Sequence, residues 1–156
     1  MNIKFEYLAD RPEDVLKVTT WWYTVWADRM GPDLDIITEQ FRGSLSTNKL
    51  PLDIVATLDG VIIGTAALKE HEMHEVYPDY RFWMGSIFVT PEYRNKGIAS
   101  LLSNHIVGMS NGRRLPQLYL QTTDITGGLY ARLGWKPMES LNYKDTETLI
   151  MVKQLN

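Results

Sequence analysis

The twelve residues Val89-Thr-Pro-Glu-Tyr-Arg-Asn-Lys-Gly-Ile-Ala-Ser100 carry the clearest chemical pattern in the chain. Arg94 and Lys96 supply mobile positive charge, and Gly97 lets backbone approach a ligand without a Cβ in the way. A helix beginning at this point would add free backbone N–H groups and a partial positive charge. Arg94, Asn95, Lys96, Gly97, Ile98, Ala99 and Ser100 therefore form a candidate phosphate site. The plain alternative is a turn with solvated cations. Neither common nucleotide motif is present: there is no Gly-x-x-x-x-Gly-Lys-Ser/Thr run, and no Gly-x-Gly-x-x-Gly follows a strand.

Local patterning predicts the elements that must hold this turn. Arg81–Val89 is rich in aromatic and branched residues and reads as a strand. Pro91 cannot donate to a ladder and should end it. Beyond Gly97, Ile98, Leu101, Leu102, His105, Ile106 and Met109 recur at helical spacing. Gly85, inside the strand, predicts a bulge. Further on, Gln117–Gln121 reads as a strand, and a short helix from Leu129 should stop at Gly134 in a left-handed cap.

The rest of the chain predicts a single domain over residues 1–156. Ile3–Leu8 is a first strand, and Arg11-Pro-Glu-Asp opens a helix striped with Val15, Val18, Trp22, Val25 and Trp26. Gly31-Pro32 breaks that helix, and a second is expected from Asp35 to about Ser46. Leu52–Leu58 and Val61–Lys69 flank Asp59-Gly60, a hairpin signal. Two closing strands are placed near Trp135–Glu139 and Glu147–Gln154. The fold class is α/β in the mixed α+β sense.

Composition narrows the chemistry. At 156 residues, with 44% hydrophobic and 22% charged residues, the chain can bury a core unaided. It has no cysteine, so disulfides, thiolate metal sites and cysteine nucleophiles are excluded. No apolar run reaches the roughly 20 residues of a membrane span. The N-terminus lacks the apolar core of a signal peptide, which makes the cytoplasm the expected compartment. A net charge of −3 argues against nucleic acid as partner. Charge is unevenly spread: Glu70, Glu72, Glu75 and Asp79 crowd one stretch, which could attract a cationic acceptor or simply be a solvated loop. His71-Glu-Met-His74 lacks the His-Glu-x-x-His spacing and has no evident third ligand, so no metal is expected.

The strand-turn-helix pattern, followed some thirty residues later by Leu129-Tyr-Ala-Arg-Leu-Gly-Trp135, resembles the GCN5-related N-acetyltransferases (GNAT superfamily). The element order resembles that family along nearly the whole chain. The resemblance implies a central twisted, mixed, mostly antiparallel sheet of about seven strands flanked by about four helices. It implies acetyl-CoA as co-substrate. The backbone of Ile87, Phe88 and Val89 would pair with the pantetheine arm, and residues 94–100 would hold the pyrophosphate. Tyr130 matches the tyrosine that stands beside the cofactor sulfur and would protonate the leaving thiolate. A bulge at Gly85 could aim an N–H at the thioester oxygen. Thr123 stands where relatives commonly carry asparagine, with Asp124 beside it. Trp83 stands where some relatives carry a basic glutamate. Glu70 is then the first candidate base, with Glu72, His71 and His74 as rivals, or an already neutral amine needing none. Trp22, Trp26 and Trp83 are candidate acceptor walls, and packing alone is the other reading of the tryptophan-rich helix.

The activity so implied is acetyl transfer to a primary amine of a small molecule, by direct attack in a ternary complex. A peptide or protein N-terminus is the alternative acceptor, and a catalytically silent acyl-CoA-binding module is the alternative class. A homodimer is left open.

Overall fold

The computed structural model describes residues 1–155. Seven strands form one sheet: β1 Ile3–Tyr7, β2 Leu52–Leu58, β3 Val61–Lys69, β4 Trp83–Val89, β5 Gln117–Thr122, β6 Lys136–Tyr143 and β7 Thr146–Gln154. Their order across the sheet is β1-β2-β3-β4-β5-β7-β6. Four helices accompany them: α1 Val15–Met30, α2 Leu34–Ser44, α3 Ile98–Gly112 and α4 Gly128–Arg132. The mixed seven-stranded architecture expected from the sequence is the one observed.

The chain groups into two compact units, Met1–Ala67 with Ser86–Leu102, and Leu68–Gly85 with Ser103–Asn156. In the first unit six of the seven β2 residues are buried, so both faces are covered, and its Leu-Asp-Ile-Val-Ala-Thr-Leu sequence is mainly apolar apart from Asp53 and Thr57. Asp59 and Gly60 both take positive φ, the two-residue hairpin turn that this pair favours. Leu8, Val15, Val18, Trp22, Val55, Ile62 and Phe88 make the core of this unit. The α2 helix starts at Leu34, one residue before the expected point, because the Asp33 carboxylate accepts from the Ile36 N–H at 3.1 Å.

In the second unit β5 pairs antiparallel with β7, and β7 with β6. The parallel β4–β5 ladder holds one registered pair, Trp83 with Tyr119. Met73, Trp83, Tyr143 and Ile150 make its core. The closing hairpin is longer than expected from the sequence. Residues 140–142 of β6 carry no apolar alternation, and only pairing with β7 makes them strand. Pro137 and the register shift between Pro137 and Glu139 sit on this strand at the sheet edge, where both are tolerated.

Candidate functional site

Within the first unit, β4 ends in Ile87, Phe88 and Val89 and passes through a short 3-10 turn, Pro91–Tyr93, into the basic segment. Arg94 donates from Nε to the Val89 carbonyl at 2.9 Å, and its guanidinium lies 5.5 Å from the Phe88 ring centre. The cation is thereby pinned at the end of the strand. Asn95 and Gly97 both adopt left-handed backbone, with φ of 61° and 82°. Nothing lies within 4 Å of where a Gly97 Cβ would stand, so the space beside this backbone is open. Asn95, Lys96 and Gly97 are exposed, Ile98 is buried beneath them, and Ala99 and Ser100 are half-buried. The first turn of α3 thus begins at an open, cationic corner suited to an anion.

The irregularity expected at Gly85 falls one residue later. Ser86 is the non-glycine residue of β4 with a positive φ, 55°. Its carbonyl accepts from the Thr65 hydroxyl at 2.7 Å, and that hydroxyl accepts from the Trp22 indole N–H at 3.0 Å. Trp22 is therefore a core residue that props up the strand, with 8% of its surface exposed. Trp26 sits at a non-helical residue inside α1 and packs on the same core. Trp21 stacks on Phe88 with centres 5.4 Å apart. Lys17, Trp21, Thr90, Glu92 and Tyr93 help line a cavity of about 320 Å³ in this unit.

Within the second unit, polar groups converge on Glu72. Its Oε1 lies 3.2 Å from Lys69 Nζ, and its Oε2 accepts from Gln121 Nε2 at 3.2 Å. An ideal Cβ on Gly85 would stand only 2.3 Å from Glu72 Oε1, so the carboxylate occupies room that only glycine leaves. Glu70, by contrast, forms an exposed ion pair with Arg81, 2.6 Å from Nη2. Trp83 is fully buried and donates from its indole to the Tyr80 carbonyl at 2.6 Å. With no exposed face, it cannot serve as an acceptor wall. Thr123 is exposed, and the neighbouring Asp124 carboxylate accepts from the Thr126 N–H and hydroxyl, holding the loop before α4.

Tyr130 lies on the five-residue α4, edge-on to Trp135 at 6.4 Å between ring centres. Burial, and after it the Glu72 charge, push its phenol up to about 12. The group stays protonated, and so remains a proton donor, across the neutral range. The His71 and His74 rings lie 4.4 Å apart, and among the described residues no three potential metal ligands gather. Lys69 and Gln121 escaped the sequence reading. The alternation of β5 holds the signal for Gln121, since Leu118 and Leu120 are buried and odd-numbered positions take the other face.

The profile of the acetyltransferase (GNAT) domain family matches residues 53–137. Solved structures share the fold at low identity. An N-acetyltransferase from Staphylococcus aureus Mu50 aligns over 100% of both chains at 16% identity, with a TM-score of 0.76. The structure of yncA from Salmonella typhimurium with its cofactor acetyl-CoA aligns over 100% of this chain and 95% of its own, at 14% identity and a TM-score of 0.75. An aminoglycoside 6'-N-acetyltransferase complexed with coenzyme A covers 99% of this chain and 97% of its own, at 16% identity and a TM-score of 0.73.

Proposed function

The chain belongs to the GNAT acetyltransferase family, and from that premise we propose that it moves the acetyl group of acetyl-CoA to a primary amine of a small molecule. The observation that carries this reading is the open basic corner formed by Arg94, Asn95, Lys96 and Gly97 at the head of α3. Residues 94–100 bind the pyrophosphate, and the backbone of Ile87, Phe88 and Val89 meets the pantetheine arm as an added strand would. The amine attacks the thioester carbon directly, since the chain has no cysteine to carry an acetyl group. Tyr130 supplies the proton that the leaving thiolate needs.

A small acceptor is favoured by the nearly enclosed Glu72 carboxylate, whose side chain is 15% exposed. The test is calorimetric titration with acetyl-CoA, followed by an amine screen read as free thiol release. Gly97→Asp puts a strained, negatively charged residue where phosphate should sit, and should abolish binding. Wild-type protein that binds no acetyl-CoA would sink the reading. Thiol release with peptides alone would move the acceptor to a chain N-terminus, and binding without any product would mark a silent acyl-CoA module.

A further inference from the structure

Glu72 is placed with more care than a surface loop requires. Lys69 and Gln121 each hold one of its oxygens, and Gly85 vacates the position its Oε1 fills. Gln121 spends its N–H on Glu72, yet its own Oε1 is buried and has no hydrogen-bond partner. A buried acceptor without a donor is costly and points to a donor group that arrives to fill it. The two adjoining functions, a carboxylate and an amide oxygen, share one demand: both accept hydrogen bonds. An ammonium group has three donors and a positive charge, which is the complement.

We propose that Glu72 and the Gln121 side-chain oxygen anchor the acceptor as a short aliphatic ammonium, and that Glu72 then takes its proton. Gly85 is the positioning residue, kept for the Cβ it lacks. The assignment rests on the acetyltransferase reading above and narrows its substrate class. In the reaction, nitrogen gives one proton to Glu72, and its lone pair forms the C–N bond as the thioester C–S bond breaks. The thiolate takes a proton from the Tyr130 phenol. The phenolate recovers the second nitrogen proton through solvent, and Glu72 releases the first, so one proton is lost per turnover. The groups are coupled, because the Glu72 charge helps hold the Tyr130 phenol protonated. Once Glu72 is neutralised by the amine's proton, that restraint is lifted and Tyr130 becomes the better acid.

The substitutions that test this are mild on the fold. The atom that a Gly85→Ala methyl would meet is the tip of a flexible side chain, so β4 can stay while Glu72 is displaced. Full-length wild type, Glu72→Gln, Gly85→Ala and the double variant are assayed with acetyl-CoA and a panel of short aliphatic amines led by putrescine. Glu72→Gln should lower kcat/KM for the amine about 100-fold, within the usual range for a proton-transfer group, and leave acetyl-CoA affinity unchanged. Gly85→Ala should reproduce that loss, and the double variant should be no worse than Glu72→Gln alone. Butanediol, the neutral isostere of putrescine, should not compete with it. An unacetylated amine panel, a Glu72→Gln enzyme at wild-type rate, or losses that multiply in the double variant would each overturn the proposal. Failure of the wild type to bind acetyl-CoA in the same calorimetry would overturn the parent reading, and this one with it.

Discussion

A single phenol illustrates how an environment prepares a residue for work. Tyr130 begins from the ordinary value of 10.0 and is pushed to about 12, first by burial and then by the Glu72 charge. Its folded-state pKa is raised, so the stability it contributes is full below pH 10 and lost as pH climbs through about 12. Tyr130→Phe should therefore flatten the alkaline limb of the unfolding curve, followed by fluorescence across that window. The same variant should lower kcat about 10²-fold without changing acetyl-CoA affinity, the signature of a proton-transfer group. A variant with full turnover would remove the acid role. At this scale the sequence pointed to Tyr130 through its Leu-Tyr-x-x-Leu-Gly-Trp setting. Glu70 stood first among the candidate bases for its place at the end of the third strand, with Glu72 a rival, and nothing in the chain order distinguishes a solvated carboxylate from an enclosed one.

Among the elements, β4 shows how side chains from elsewhere hold backbone in an unfavourable conformation. Ser86 takes left-handed φ, and the Trp22–Thr65 pair holds its carbonyl. Trp22→Phe keeps most of the volume and removes the donor, so it should cost about 1 kcal/mol, measured by denaturant unfolding. The β6–β7 turn offers the opposite case. Lys144 and Asp145 both take positive φ with no glycine to ease it. Asp145→Gly should stabilise the protein by about 0.5–1 kcal/mol, visible as a raised Tm. Hairpins with a turn signature, such as Asp59-Gly60, were legible in the chain. This one was not, because its turn residues are atypical and most of β6 is exposed.

For the whole molecule the test is linkage. A ligand present at 100 times its Kd adds about 2.7 kcal/mol to stability, so acetyl-CoA should raise Tm in a concentration-dependent way. Gly97→Asp should abolish that rise and should itself lower the Tm of the free protein by the equivalent of about 1 kcal/mol, since the added side chain meets open space but the left-handed φ of 82° strains any residue with a Cβ. Among the described residues, no helix is long and apolar enough to cross a membrane.

The order of elements, the family and the basic turn were all determined by the sequence alone. Hydrophobic period, turn chemistry and the spacing of Arg94, Gly97, Tyr130 and Gly134 are local properties that survive without a fold. The tertiary structure decided which acid is enclosed and that Trp22 and Trp83 belong to the core. Trp83 and Trp22 read alike with Trp26 in the chain, yet burial removes Trp83 from any surface role. Glu72 gains its place only because Lys69, Gln121 and the missing Cβ of Gly85 meet there from three different strands. Such convergence depends on pairing and register, which no window of sequence contains.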